Sequence, residues 1–356
     1  MSKKINCWEY MQCHREPGGT RVEKSGICPA AAQRAFNGFN RGINAGRACW
    51  LVAGTFCRNR CQGSFAEKQS SCRECVFYKK IHLEEGSTQL SLSSLKIAAH
   101  THIGRGNPSN DDRYLIRRLS NGDILLAIAD GLGGNVAGDY AAEILRARLA
   151  AVKNIAGGDE QIQLAKLAVE MDTVICHKHD DDPTLDDGMG STLIAVLYRL
   201  GKAYWVHVGD SRLYLLRNRQ LTQITKDQTL ARFLLAEGEI TEEEAPRHYS
   251  RNVMDQYVGC GYAKPETGCL DLFSGDVLVF ATDGLYKQIG TEAMMSILNM
   301  ESGLDMESGL EEKATALVDA ALDAGGTDNI TVMLAQKPLP VFISEKRKEN
   351  DRSLSA

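Results

Sequence analysis

No run of apolar residues in this 356-residue chain approaches the ~20 that a membrane-spanning helix needs. The first residues, Met1–Trp8, lack the apolar segment of a secretory signal. Basic residues are not in excess either, because the net charge is −5 and both signs are well mixed. We therefore expect a cytoplasmic protein with no membrane and no nucleic acid among its partners. The length allows about two or three domains.

Cysteine is concentrated at one end of the chain. Of the 11 cysteines, eight lie in the first 75 residues: Cys7, Cys13, Cys28, Cys49, Cys57, Cys61, Cys72 and Cys75. Without a secretory signal, this clustering favours metal ligation or redox chemistry over disulfides. The other three, Cys176, Cys260 and Cys269, are isolated and predict small core residues.

The sequence of residues 1–88 predicts a cysteine-rich module. It is too small to build a large core, so it needs a cross-link such as a bound metal to be stable. The spacings of Cys57 with Cys61 and of Cys72 with Cys75 suit zinc or part of an iron–sulfur cluster. Eight thiols could fill two tetrahedral zinc sites, or one cluster with four cysteines left over. A structural metal is the preferred interpretation, and a sensing cluster is the alternative.

The remaining chain predicts a linker at 89–94, one folded block at 95–337 and a disordered tail at 338–356. Apolar periodicity predicts strands at 95–102, 112–119, 123–129, 191–199, 202–208, 211–217, 220–224, 253–258, 276–282 and 329–335, and helices at 136–155, 160–178, 292–300 and 309–324. We interpret the four closely spaced strands at 191–224 as an antiparallel meander. The pattern predicts an α+β fold with two packed antiparallel sheets covered by helices.

An apolar run, 125–129, ends in Asp130 and is followed by a turn rich in glycine. Such a turn between a strand and a helix can bind nucleotides, but the G-x-G-x-x-G pattern fails at Val136. Asp130 would also repel a pyrophosphate. A carboxylate beside an exposed backbone carbonyl suits a hard divalent cation better.

The same arrangement recurs at Asp283, at Asp328 and at the pair Asp111 and Asp112, each next to a predicted strand. Aspartates this far apart in sequence converge only if their strands lie side by side. Crowded carboxylates would strongly raise one another's pKa, and divalent cations relieve that repulsion. The sequence therefore predicts a site for two metal ions.

Six motifs occur in order along the block. They are Asn110-Asp111-Asp112, the segment 129–134, the segment 188–192, the segment 208–212, the segment 281–284 and the segment 326–329. Together they resemble the bacterial metal-dependent serine/threonine protein phosphatases of the type 2C class, over about 95–337. The resemblance implies an α–β–β–α sandwich with two manganese or magnesium ions between the sheets. Residues 1–88, with the pairs Cys7-Trp8 and Cys49-Trp50, resemble the "two-CW" cysteine-rich module.

The resemblance also implies roles for individual residues. Asp130 would bridge both metals and the Gly131 carbonyl would ligate one, with Asp283, Asp328, Asp111 and Asp187 as further metal ligands, Asp187 for a weaker third ion. Asp112 would support the water network. Asp210, Ser211 and Arg212 match a turn that we interpret as scaffold.

Three positions depart from the family pattern. Asn107 stands where an arginine usually grips the phosphate, and Arg105 is the candidate substitute. Leu132 occupies the position of a histidine found in eukaryotic members. Lys287 occupies the position of a third-metal aspartate, where its ammonium would oppose a third cation or replace it.

The expected activity is hydrolysis of phosphoserine and phosphothreonine in proteins by a hydroxide held between the two cations. The partners would be a phosphorylated protein and, opposing this enzyme, a serine/threonine kinase. Because of Asn107 and Lys287, a weakened module that binds phosphoproteins remains an alternative, as does hydrolysis of a small phosphoester.

Overall fold

The structure is a computed structural model that describes residues 4–34, 42–47, 49, 52, 55–57, 60–61, 75–77, 80–81, 87–92, 95–181, 189–300 and 308–338. Its elements in chain order are α1 (Cys7–Met11), α2 (Val22–Ser25), α3 (Pro29–Ala32), β1 (Phe56–Cys57), β2 (Arg60–Cys61), β3 (Ser87–Leu92), β4 (Leu95–His102), β5 (Arg113–Arg118), β6 (Ile124–Ala129), β7 (Gly131–Leu132), α4 (Gly134–Ala151), α5 (Glu160–Asp181), β8 (Gly190–Ser191), β9 (Leu193–Arg199), β10 (Lys202–Val208), β11 (Arg212–Arg217), β12 (Gln220–Gln223), α6 (Leu230–Ala236), β13 (Glu266–Asp271), β14 (Val277–Ala281), α7 (Asp283–Leu298), α8 (Ser308–Asp323) and β15 (Ile330–Gln336). Short 3₁₀ turns lie at Ala245–Arg247 and Tyr249–Asn252.

Two antiparallel sheets stack face to face. The five-stranded sheet has the order β13-β10-β9-β6-β5, and the six-stranded sheet has the order β12-β11-β14-β15-β4-β3. Helices α4 and α5 cover the outer face of the first sheet, and α7 and α8 cover the second. The predicted sandwich of two antiparallel sheets between helices is confirmed.

Strand β6 shows why this sequence forms a central strand. Ile124, Leu126 and Ile128 pack into the core between the two sheets, whereas Leu125 and Ala127 pack against the helices. Because successive side chains of a strand point to opposite faces, a continuous apolar run fits a strand that is buried on both faces. Its carboxyl end therefore delivers Asp130 from the centre of the sandwich.

The predicted four-strand meander is wrong. Strands β9 and β10 pair in one sheet, but β11 and β12 belong to the other, so the chain crosses between sheets at Gly209–Ser211. Gly209 has a φ of 108°, and a Cβ there would meet Thr192 Cγ2 at 2.7 Å. Only glycine fits a left-handed conformation with so close a neighbour. This crossing places Asp210 between the sheets.

Other boundaries also differ from the sequence prediction. The linker predicted at 89–94 is wrong, because β3 covers Ser87–Leu92 and pairs with β4. The strand predicted at 253–258 is wrong, and strand β13 lies further along and pairs with β10. Helix α7 begins at Asp283, well before the predicted 292, and has non-helical backbone angles at Gly290. The tail beyond residue 338 lies outside the described residues.

A separate small core gathers apolar side chains near the beginning of the chain. It contains Trp8, Cys28, Ala30, Ala31, Ala45, Cys49, Val52, Phe77 and Ile81. Tyr140, Ala147 and Ala150 of α4 pack against it, so this part of the chain contacts the helix that covers the five-stranded sheet. No helix among the described residues is long and apolar enough to cross a membrane.

A buried ion-pair network joins β5 to α4. The Arg113 guanidinium contacts Asp139 and donates from Nε to Glu143 Oε2 at 2.7 Å, and all three side chains are almost fully buried. Arg113 also donates to the backbone carbonyls of Asn110 and Asp112, both at 2.7 Å. The network therefore fixes the loop that carries Asp111 and Asp112.

We expect the change Arg113→Met to lower the free energy of unfolding by about 3–5 kcal/mol, because it removes the guanidinium that the buried carboxylates of Asp139 and Glu143 share, although Glu143 keeps its ion pair with Arg146. Denaturation with urea measures the loss. The control Lys202→Met removes an ion pair with Asp271 whose side chains are 51% and 62% exposed, and should cost at most about 1 kcal/mol. Equal effects of the two changes would contradict the structural role of Arg113.

Candidate metal centre

Aspartates from both sheets meet at one end of the sandwich. Asp130 follows β6 of the five-stranded sheet, whereas Asp283 follows β14 and Asp328 precedes β15 of the six-stranded sheet. Asp112 lies just before β5. Strands β14 and β15 are antiparallel neighbours, so the end of one lies beside the start of the other.

Glycine follows Asp130 and Asp283 because the backbone of another segment passes directly over it. A Cβ on Gly131 would lie 2.1 Å from the carbonyl oxygen of Gly138, and a Cβ on Gly284 would lie 2.0 Å from that of Asn329. Both distances are far below van der Waals contact. The Asp-Gly pairs seen in the sequence thus mark points where two segments are held tightly together beside a carboxylate.

Electrostatic interactions show that these carboxylates share one pocket. Although part of Asp130 is exposed, burial of its carboxyl raises its pKa well above the usual range, and the charges of Asp112, Asp283, Asp210 and Asp328 raise it further. Like charges act in this way only when they are close in a poorly screened environment. The sequence-based expectation that distant aspartates converge is therefore supported.

Asp112 is almost fully buried. Its pKa is raised to about 8, chiefly by burial and also by the charges of Asp283 and Asp328, while the neighbouring hydroxyls of Thr331 and Thr282 oppose the rise. Thr282 Oγ1 donates to Asp112 Oδ2 at 2.9 Å, whereas Oδ1 has no partner within the described chain. A buried carboxylate oxygen without a partner calls for a proton or a cation.

The donor set fits hard divalent cations, which prefer carboxylate and carbonyl oxygens. Among the residues that the structure describes, no three Asp, Glu, His or Cys side chains are already spaced as a complete ligand cage. The fit therefore rests on the crowding of acidic groups and on the unpartnered oxygen of Asp112. Asp187, predicted to hold a third ion, lies outside the described residues.

The loop before β5 is tied to the start of β15 by Asn329. Its side-chain amide donates to the carbonyls of Ile103 and Ser109 at 2.8 and 2.9 Å, and its Oδ1 accepts from the backbone of Asp111 at 2.7 Å. Ser109 also donates to Asp111 Oδ1 at 2.6 Å. Asn329 thus sets the position of Asp111 beside Asp328, a role that the sequence analysis did not assign.

Asp210 was interpreted from the sequence as scaffold, but its carboxyl belongs to the acidic pocket. Burial and the charge of Asp283 raise the pKa of Asp210, and the ammonium of Lys287 opposes them. Lys287 Nζ lies 2.7 Å from Asp283 Oδ2 and 3.2 Å from Asp210 Oδ2. Burial disfavours the charge on Lys287, but the two carboxylates outweigh it and raise the lysine pKa above its usual range.

Arg105 and Asn107, the candidates for binding a phosphoryl group, lie on the neighbouring loop. The side chain of Arg105 is 62% exposed and pairs with Asp323 at 3.5 Å. Asn107 donates to the carbonyls of Ile103 and Thr327 at 3.1 and 3.4 Å, so its amide supports the loop. Of these two residues, only Arg105 is cationic, and its side chain is largely exposed.

Four thiols near the beginning of the chain also lie close together. A hydrogen bond with Cys49 raises the pKa of Cys7, and burial and the neighbouring Cys28 and Cys13 raise it further. Cys75 packs against the same small core. The side chains of Cys57 and Cys61 and the whole of Cys72 lie outside the described residues, so those ligand predictions stay untested.

Residues 99–320 match the family described as protein phosphatase 2C. The serine/threonine protein phosphatase PstP of Mycobacterium tuberculosis is 34% identical over 242 residues, which cover 68% of this chain and 45% of that protein. The chain therefore spans about half the length of that relative. The serine/threonine phosphatase stp of Listeria monocytogenes is 32% identical over 245 residues, which cover 67% of this chain and 94% of the relative.

Solved structures agree with the sequence comparison. The crystal structure of the M. tuberculosis phosphatase PstP/Ppp superposes with a TM-score of 0.61 at 33% identity, covering 69% of this chain and all of that one. The catalytic domain of PstP in complex with two manganese ions gives a TM-score of 0.58 at 32% identity, covering 68% of this chain and 98% of that one.

Without divalent cations, we expect the stability of this protein to fall as the pH rises from about 5 to about 8. The pKa of Asp112 is about 8 in the folded protein against an ordinary value of 3.8, so between these values the folded state holds a proton that the unfolded state releases. Each such group lowers the free energy of unfolding by up to about 1.4 kcal/mol per pH unit.

Thermal unfolding in EDTA across this pH range measures the effect. The change Asp112→Asn should make the dependence of Tm on pH shallower, whereas Asp271→Asn, at an exposed position, should leave it as in the wild type. A wild-type Tm that stays constant or rises between pH 5 and 8 would show that these carboxyls are not protonated in the folded protein.

Proposed function

The chain belongs to the protein phosphatase 2C family, and we propose that it is a metal-dependent protein serine/threonine phosphatase of bacterial signalling. One observation carries the proposal: carboxylates from separate strands of both sheets share a pocket in which they raise one another's pKa. A structural role would not bring so many acids together, because their crowding opposes folding. The named relatives are serine/threonine phosphatases.

Asp130, Asp283, Asp328 and Asp111, with the carbonyl of Gly131, would hold two Mn²⁺ or Mg²⁺ ions. When bound, such ions supply Lewis acidity and lower the pKa of water toward neutrality. Asp130 and Asp111 adjoin β6 and β5 of the five-stranded sheet, whereas Asp283 and Asp328 adjoin β14 and β15 of the six-stranded sheet. The two pairs of carboxylates therefore face each other across the gap between the sheets.

Asp112 would act on the proton of the attacking water. Thr282 holds its Oδ2, and its Oδ1 has no partner within the described chain, so this oxygen can accept a hydrogen bond or a proton. Because Arg113 and the backbone of the same loop fix Asp112, its carboxyl is positioned before substrate arrives.

The proposed substrate is a phosphorylated serine or threonine in a protein, supplied by an opposing serine/threonine kinase. Arg105, exposed beside the acidic pocket, would contact the phosphoryl oxygens after leaving Asp323. A surface ion pair of this kind is weak, so it can exchange for a phosphate. We also propose that the protein works in the cytoplasm.

A second candidate function is a binding module that recognises phosphoproteins with little turnover. The support for it is that Asn107 is bound to backbone carbonyls and that Lys287 occupies part of the acidic pocket. The two functions differ in whether phosphate is released, which makes turnover the deciding measurement.

We further propose that residues 1–88 form a cysteine-rich regulatory or targeting module of the "two-CW" type that holds zinc or an iron–sulfur cluster. The convergence of Cys7, Cys13, Cys28 and Cys49 supports one set of four thiolate ligands. Cys57, Cys61, Cys72 and Cys75 would form the second set on the basis of their spacing.

With Mn²⁺, the purified protein should release phosphate from a phosphothreonine peptide and from p-nitrophenyl phosphate. The change Asp130→Asn should lower kcat by about 10³-fold or more, because it removes a shared ligand of the reacting centre. Asp271→Asn, at an exposed position, is the control and should retain activity. A wild-type protein that binds the peptide but shows no metal-stimulated turnover would favour the binding module.

The protein as isolated should contain zinc or iron that is independent of added Mn²⁺. The change Cys49→Ser should remove about one metal site, since a tetrahedral site needs all four ligands. Cys269→Ser, at an exposed and isolated thiol, should leave the content unchanged. Elemental analysis measures the metal content, and thiol titration measures how many cysteines are free. A metal-free protein in which all eight cysteines of residues 1–88 titrate freely would contradict the proposed metal site.

A further inference from the structure

Lys287 lies between two carboxylates that come from different parts of the chain. Its Nζ is 2.7 Å from Asp283 Oδ2, one helical turn earlier in α7, and 3.2 Å from Asp210 Oδ2, in the crossing between the sheets. The side chain of Asp210 is only 4% exposed, and its Oδ1 has no partner in the described part of the chain. This contact is therefore a partly buried ion pair and not a surface pair.

The backbone that carries Asp210 is held in place beside Lys287. The hydroxyl of Tyr286 donates to the backbone carbonyl of Asp210 at 2.9 Å, and the guanidinium of Arg212 lies 3.7 Å from the centre of the Tyr286 ring. Arg212 is held in turn by Asp227 at 2.6 Å. With its backbone fixed in this way, the buried carboxylate of Asp210 needs a cation at the place where Lys287 puts its ammonium.

We propose that Lys287 is a tethered cation of the acidic pocket, whose ammonium occupies the space between Asp210 and Asp283 and excludes a divalent ion from it. The proposal rests on the proposed function, which places divalent ions at Asp130, Asp283 and Asp328. Lys287 contacts Oδ2 of Asp210 and of Asp283, so ions on the other side of Asp283 would use its remaining oxygen. The pocket then binds one divalent ion fewer than its carboxylates could hold.

A covalently attached cation has two physical consequences. It neutralises part of the pocket at any concentration of free metal, because its attachment to the chain fixes its local concentration. It also carries one charge and has no vacant orbital with which to coordinate a water, so it would orient Asp283 without activating a water molecule. Lys287 is thus a positioning residue for Asp283 rather than a catalytic residue.

The number of Mn²⁺ ions bound per chain tests the proposal directly, without measuring activity. Equilibrium dialysis should show one more Mn²⁺ on Lys287→Asp than on the wild type, because the change removes the ammonium and adds a carboxylate beside Asp210 and Asp283. Lys166→Asp is the matched control: Lys166 also has a carboxylate four residues away, Glu170, but both side chains are exposed. It should bind the wild-type number.

Equal, non-zero numbers for Lys287→Asp and the wild type would overturn this inference alone. Binding of no Mn²⁺ by either protein would overturn the proposed function and this inference with it. The two failures are therefore distinguishable in one experiment.

Thermal unfolding in EDTA provides a second test that needs no metal. Lys287→Met should lower the Tm by about 3 °C or more, because Asp210 loses the ammonium that lies 3.2 Å from its Oδ2, and the double change Asp210→Asn with Lys287→Met should regain most of that loss. A Tm for Lys287→Met equal to that of the wild type would overturn the proposal even if Lys287→Asp does not fold.

Discussion

Repulsion among buried carboxylates is the constraint around which this structure is built. Asp130, Asp112 and Asp210 all have raised pKa values, for which burial is the largest cause and to which the charges of neighbouring aspartates add. A fold that brings these groups together loses stability unless protons or cations compensate them. The sandwich supplies the opposing free energy through three apolar layers, one between the sheets and one beneath each of the two helical faces, so the acids lie at the end of an otherwise apolar framework.

The framework holds the acids through contacts that leave little room for adjustment. The backbone of Gly138 packs directly against Gly131, and the backbone of Asn329 packs directly against Gly284. The Asp-Gly pairs at 130–131 and 283–284 are therefore each held in place by a different segment of the chain. Asn329 then connects the loop before β5 to β15 through its side-chain amide. Position is thus set mainly by backbone packing and amide hydrogen bonds. This leaves Asp112 Oδ1, which has no partner within the described chain, available for an ion or a water, as a preorganised site requires.

The sequence allowed the central strands and the acidic pocket to be predicted, since apolar runs ending in Asp-Gly carry both signals. It did not allow prediction of the change of sheet at Gly209, because two strands joined by a short turn look the same whether they pair or separate. Strand β13 was missed because Glu266–Asp271 is an edge strand with little apolar character. The role of Asp210 was misjudged and that of Asn329 was missed for one reason. Each residue acts through a contact with a residue distant in sequence, and the local pattern of apolar residues carries no information about such contacts.

Helix α4 connects the cysteine-rich part of the chain to the acidic pocket. One of its faces contacts the small core through Tyr140, Ala147 and Ala150, and Asp139 and Glu143 bind Arg113 beside Asp112. A helix is stiff along its length because every turn is hydrogen-bonded to the next. Any rearrangement of the thiol cluster that shifts α4 therefore changes the support of Arg113, and through it the loop of Asp111 and Asp112. The small core and the two-sheet sandwich thus share one rigid element.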